Sequence, residues 1–342
     1  MRSWLSPPDP SKNHNIAHGA QHDGTAEWFI HGSTFENWYT TASTGSLLWI
    51  HGKRMSFSHS DPSFFSCLPT IRSCSGIRED HSLVRVTVSL WVCGMFMLPT
   101  SSTIIQQIKA KCDRGLALMG YYYFDYKDIA KQGIRGLLAS LLSQFCVTSD
   151  PCYEILSDLY SENQEGSHQP NNEGLIESLK KILRFPDAPM RCIIMDAVDE
   201  CPNTSGFPTA REEVLDLLDD LAGLRLPNLR ICVTSRPEID IQTVLEPLPS
   251  FHMSLHDQSG QKQDILDYIK HVVHLDRRMR KWRPEDKQMV IDTLSAKADG
   301  MWVITTTMSW HSHSPNKQVS MGVLPTRNFA SLLTSRYWAC SE

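Results

Sequence analysis

The chain has 342 residues, 41% apolar and 21% charged, enough for one large α/β domain with appendages or for two ordinary domains. Its 33 basic and 38 acidic residues give a net charge of −5, which removes the electrostatic argument for a dedicated binder of nucleic acid or of an anionic membrane. None of the ten cysteines forms a C-x-x-C pair, and Cys192 and Cys232 sit inside apolar runs. They read as reduced thiols of a cytoplasmic protein rather than as staples.

Taken in chain order, residues 1–45 read as an N-terminal linker or helical segment. The start, Met1 to Pro8, has one basic residue and no apolar stretch, so no signal peptide is expected. His14, His18 and His22 recur every four residues, but no carboxylate or cysteine completes a metal site and Gly19 weakens the helix, so a solvated helical face is expected. A first short apolar strand is predicted at Ser46–Ile50.

Residues 54–103 then hold eleven serines, three cysteines and no lysine, with no sustained period. Their apolar window, Leu83 to Leu98, is 16 residues long and contains Arg85, short of the roughly 20 residues that span a bilayer. No membrane partner is expected.

From 104 to 300 the pattern is that of an ordinary globular protein. Ile134, Leu137, Leu138, Leu141, Leu142 and Phe145 form one apolar helical stripe, and Val214, Leu215, Leu218 and Leu221 form another on a helix starting near Thr209. Short apolar runs at Leu118–Phe124, Arg191–Met195 and Leu229–Val233 alternate with these helices, the pattern of a parallel sheet buried on both faces. Tyr121 to Phe124 is therefore read as a buried strand and not as a platform for bases. The pairs His252/His256 and His271/His274 and the basic run 277–283 are read as solvated surface. Residues 301–342, with twelve Ser/Thr and four charged side chains, leave the globular pattern again.

The sharpest feature is Ile193-Ile194-Met195-Asp196-Ala197-Val198-Asp199-Glu200. An apolar strand delivers three carboxylates at its C-terminal end, where open α/β sheets bind ligands. Mg²⁺ beside a phosphate chain needs only one or two carboxylates, and a further one can orient or deprotonate water. The alternative is an acidic turn that caps a helix. Further on, Leu229–Val233 runs into Thr234, Ser235 and Arg236, two hydroxyls and a guanidinium able to meet a γ-phosphate. The alternative for Arg236 is a surface ion pair with Glu238 or Asp240.

With these segments in view, the chain resembles the fungal NACHT-type NTPases of the STAND class, whose NTPase region is also described as nephrocystin-3-like. The segments are WLSPPDPSKNHNIAHGAQHDGTAEWFIHGSTFENW, GSLLWIHGK, STIIQQIKAKCDRG, GYYYFDYKD, MDAVDECPNTSG, LRICVTSRPE, DILDYIKHVV and KADGM. The resemblance covers about residues 1–53 and 100–301. It implies an α/β P-loop NTPase, a three-layer sandwich with a parallel sheet followed by a small helical segment, acting as a nucleotide-driven signalling switch. It implies Mg²⁺ with ATP or GTP, with Asp196 on the metal, Asp199 and Glu200 serving hydrolysis, Arg236 sensing the γ-phosphate, and Gly52, Lys53, Thr234 and Ser235 on the nucleotide. The expected division is a core at 46–250, a helical extension at 251–300 and a tail at 301–342. Protein partners would act through effector and repeat domains that these residues do not include.

The phosphate loop departs from that pattern. G-x-x-x-x-G-K-[ST] wraps backbone N–H groups around the phosphates, with the lysine on the β/γ-phosphates and the hydroxyl on Mg²⁺. Starting at Gly52, the register puts Phe57 at the second glycine, Ser58 at the lysine and His59 at the hydroxyl, and no other G-K-[ST] occurs in the chain. Residues 54–100 are accordingly read as an atypical insert, disordered or translated from non-coding sequence. Arg54-Met55-Ser56 is encodable as CGT-ATG-AGT, which contains the splice-donor-like GTATGAGT. Sequencing the transcript tests this, since a main message that encodes 54–100 refutes it. The second reading of function follows: a NACHT scaffold that binds no nucleotide because the Walker A motif is missing.

Overall fold

The computed structural model describes residues 2–19, 24–41, 46–52, 97–185, 189–204, 206–248, 250–275, 279–280 and 282–297. Lys53, His22, nearly all of the 54–100 insert, part of the basic run and the 301–342 tail lie outside them.

Helices α1 (Arg2–Leu5), α2 (Ser11–Gly19), α3 (Glu27–Ile30) and α4 (Ser33–Thr40) precede strand β1 (Ser46–His51). Helix α5 (Met97–Cys112), strand β2 (Ala117–Tyr123) and helices α6 (Ile134–Thr148), α7 (Asp150–Glu162) and α8 (Asn172–Arg184) follow. Then come β3 (Met190–Asp196), α9 (Ala210–Gly223), β4 (Leu229–Ser235), α10 (Ile239–Leu245), β5 (Ser250–Ser254), α11 (Ser259–Leu275) and α12 (Pro284–Lys297). The five strands form one sheet in the order β2-β3-β4-β1-β5, and every pairing is parallel.

Side chains alternate across that sheet, so each strand feeds two cores. Leu47, Trp49, Ile193, Met195, Ile231 and Val233 pack with α6, α8 and α9 on one face. Leu48, Ile50, Cys192, Ile194 and Cys232 pack on the other with Phe29, Phe35 and Trp38 from α3 and α4 and with Ile104, Ile105 and Ile108 from α5. Helices on both faces make three layers, the α/β fold expected from the continuous apolar runs. Cys192 and Cys232 are buried free thiols, as their apolar neighbours predicted.

The local signals explain the element ends. Thr209 caps α9 in a reciprocal capping box, its side chain accepting from Glu212 N while the Glu212 carboxylate accepts from Thr209 N. Asn171 caps α8 by accepting from Gly174 N. Near the start of α6, a Cβ on Gly136 would collide with the Ala130 carbonyl oxygen and lie 2.7 Å from the Tyr122 hydroxyl. Gly136→Ala is therefore expected to cost about 2 kcal/mol by overpacking, read as a lower midpoint in urea unfolding with an unchanged slope.

Several elements were not read from the sequence, β5 and the start of α5 among them. Strand β5 carries Phe251-His252-Met253, whose alternation with polar residues belongs to a half-covered sheet edge rather than to a buried central strand. Helix α5 begins at Met97, so the last four residues assigned to the insert are helical and Thr100 is buried.

Candidate functional site

Asp196 is the last residue of β3 and is 1% exposed. Its Oδ1 accepts from two hydroxyls: Ser101 Oγ on α5, and Thr234 Oγ1 near the end of β4 at 2.6 Å. Its Oδ2 is buried with no hydrogen-bond partner. Burial in this shell raises the carboxyl from 3.8 to about 6, against the lowering effect of the two hydroxyls. A buried carboxylate oxygen without a partner is costly. Hard oxygen donors from one carboxylate and nearby hydroxyls suit Mg²⁺, which keeps waters and takes phosphate oxygens for the rest of its shell. The donor set at Asp196 fits that ion. No group of three or more His, Cys, Asp or Glu suited to a metal occurs among the described residues.

Past Asp196 the backbone turns sharply. Ala197 adopts the left-handed conformation (φ 57°) and its N–H donates to Thr234 Oγ1 at 3.0 Å. The turn leads into a 3₁₀ segment, Val198–Glu200. Asp199 Oδ1 accepts from Arg236 N at 3.0 Å, and its Oδ2 lies 3.3 Å from Arg236 Nε. Arg236 thus pairs with Asp199, while Glu238 and Asp240 are held by Arg211, at 2.6 and 3.1 Å. Arg211 also donates to the carbonyls of Asp199 and Cys201. One buried guanidinium thereby ties the loop after β3 to the loop after β4. Glu200 Oε2 accepts from Tyr126 N at 3.2 Å. Burial, with Asp199 and Asp196 adding repulsion, raises the Glu200 carboxyl to about 7, close to the range of a general base at neutral pH. Burial also raises Asp199, against the pull of Arg236.

The structure brings Asp196, Asp199, Glu200, Thr234, Ser235 and Arg236 to the carboxyl end of adjacent strands β3 and β4, with Gly52 buried at the end of β1. The two hydroxyls expected at the phosphate have partners within the protein. Thr234 turns to Asp196, and Ser235 accepts from Trp49 Nε1 at 2.8 Å. Sequence reasoning missed Ser101 as a partner of Asp196 and Arg211 as the clamp. The signal for Ser101 was present in TSSTIIQQIKAKC, a run of hydroxyls just ahead of the apolar residues of a helix. Arg211 carried no motif.

Residues 97–236 match the family model described as Nephrocystin 3, N-terminal. That stretch opens at the first residue of α5 and closes at Arg236, so it contains Ser101, the acidic strand end and the Thr234–Arg236 segment but not β1 or Gly52. No curated protein matches the chain. Among solved structures it is similar to the Aeropyrum pernix ORC2 protein in ADPNP–ADP complexes, with 10% identity over 84% of this chain and 58% of that one and a TM-score of 0.36. A likeness that loose adds nothing to what the strand order establishes.

Proposed function

We propose that this chain is a NACHT-type nucleoside-triphosphatase domain, a nucleotide-dependent switch whose Mg²⁺ and hydrolysis half is built around Asp196. The observation that carries the reading is the Asp196 carboxylate, with one oxygen clasped by hydroxyls from α5 and β4 and the other buried and unpartnered. Asp196 and Ser101 would hold Mg²⁺, which when bound neutralises charge on the β/γ-phosphates of ATP or GTP. Glu200, held by Tyr126 N, would take the proton of the attacking water. Arg236 would exchange Asp199 for the γ-phosphate, because its side chain is 44% exposed while Asp199 is 6% exposed. The match to the Nephrocystin 3 N-terminal model over 97–236 supports the same reading.

A second reading rests on the missing G-K-[ST]. A chain that keeps this carboxylate end without a phosphate-binding lysine would be a scaffold acting through protein contacts in the cytoplasm. A titration with fluorescent ATP and GTP analogues, with and without Mg²⁺, separates the two. Mg²⁺-dependent binding at micromolar nucleotide is expected of the switch, and no binding at millimolar nucleotide of the scaffold. No described helix is long and apolar enough to cross a membrane.

A further inference from the structure

Strand β2 lies at one edge of the sheet, so one side of its backbone faces away from β3. Among the described residues no strand covers that edge. The Gln144 side chain seals it at one point, its Oε1 accepting from Tyr121 N at 3.1 Å and its Nε2 donating to Tyr121 O at 2.8 Å. Beside the edge runs the segment from α1 through α2, read from the sequence as a linker or helical segment, which meets β2 through His14.

That segment is fastened at discrete points. Trp4 Nε1 donates to His168 O at 2.8 Å, Gln169 Nε2 donates to Trp4 O at 2.6 Å, and the indole meets Tyr160 edge-on. Asn13 bridges the loop after β2: its Nδ2 donates to Asp125 Oδ2 at 3.2 Å and its Oδ1 accepts from Lys131 Nζ at 2.6 Å. His14 Nδ1 lies 3.3 Å from the Tyr123 hydroxyl, and His18 Nδ1 lies 2.7 Å from Gln106 Nε2 on α5. Trp4 and Leu5 join the core and Ala17 is buried, but the stretch from Pro7 to Ser11 does not close onto the sheet. A cavity of about 700 Å³ remains beneath it, lined by Pro7, Pro8, His14, Ile105, Tyr121 and Gln144 among others. The cavity removes part of the packing under the stretch that leads into α2, which lowers the free energy of opening α2 locally while α1 stays docked and the sheet stays folded.

We infer that residues 7–19, anchored by α1, form a detachable strap beside the β2 edge, released at α2 when His14 gains a proton. His14 faces Tyr121 and Tyr123 from β2, Lys109 from α5 and His18 from its own helix. Asp9 and Asp113 also line the cavity, yet the net effect of its surroundings on the ring is to disfavour the imidazolium. Burial, then His18 and Lys109, hold the ring below its ordinary 6.5. The sign follows: the docked strap favours neutral imidazole, so its attachment is complete above pH 6.5 and weakens as the pH falls below it. Release frees the β2 edge for an added strand and uncovers Tyr123, which pairs in register with Asp196. The inference does not depend on nucleotide binding.

Hydrogen exchange on the full chain at pH 8 and pH 5.5, expressed as protection factors, tests it. Amides of 11–19 are expected to lose protection at pH 5.5 while those of β3 and β4 keep theirs. His14→Gln, with His14→Asn as the second variant, is expected to give the same protection at both pH values. Equal protection at both pH values in the wild type overturns the inference. So does a pH-dependent loss that persists in both variants, or a loss shared by β3.

Discussion

Replacing Asp196 with alanine is expected to abolish Mg²⁺-dependent nucleotide binding and, with it, all stabilisation of the protein by Mg²⁺ and nucleotide. The carboxylate joins α5, β3 and β4 through Ser101 and Thr234, and its second oxygen is the one buried side-chain acceptor at the strand ends that has no partner among the described residues. The wild type has a pH signature that the variant lacks. The folded-state value of about 6 lies above the ordinary 3.8. Stability without metal is therefore complete below about pH 4 and falls as the pH rises through about 6, by up to roughly 3 kcal/mol for a shift of this size. Mg²⁺ with nucleotide should recover it at neutral pH. Thermal unfolding of wild type and Asp196→Ala at pH 4.5 and 7.5, with and without Mg²⁺ and ATP, reads both effects. Unchanged Mg²⁺-dependent binding in the variant would make the acidic strand end structural.

The second large effect is expected at Arg230. This buried guanidinium sits on β4 and donates to Tyr39 O and Thr41 O, at 3.2 and 2.6 Å, and to Pro227 O and Leu229 O, both at 2.9 Å. It is the polar fastening between the end of α4 and the sheet. Methionine would fill much of the volume but leave carbonyls without donors, each worth about 1–3 kcal/mol when buried. Arg230→Met is expected to cost about 3–4 kcal/mol and to lower Tm by roughly 10 °C. Lysine should not rescue it, because one ammonium cannot span the carbonyls that the planar fork reaches. A Tm within 2 °C of wild type would refute the assignment.

What was legible in the sequence follows from how local its cause is. The central strands announced themselves because burial on both faces removes polar alternation, and the α6 and α9 stripes because one face packs on the sheet. The acidic strand end was legible for the same reason, since three carboxylates follow directly on an apolar run. Arg236 was found, but its partner was not. Glu238 and Asp240 are nearer in sequence, yet Asp199 holds it, because Arg211 reaches from α9 and occupies both of the nearer carboxylates. Ser101 lies 95 residues from Asp196, a separation no local pattern reports. His14 was read as solvated because helical spacing shows which side chains share a face, not what that face meets. The structure sets it half-buried against Tyr121 and Tyr123.

The place of β1 in the sheet bears on how the molecule can be cut. The family match begins at residue 97, yet β1 lies upstream of it and is inserted between β4 and β5. A fragment trimmed to 97–236 keeps Ser101, Asp196 and Thr234 but strips β4 of its neighbour along the whole length from Arg230 to Ser235. Every residue of β4 is buried, so the cut bares an apolar strand with an open hydrogen-bonding edge in place of a solvated border. Such an excised piece is a template for strand exchange between copies. A soluble minimal unit has to carry 46–51 with it.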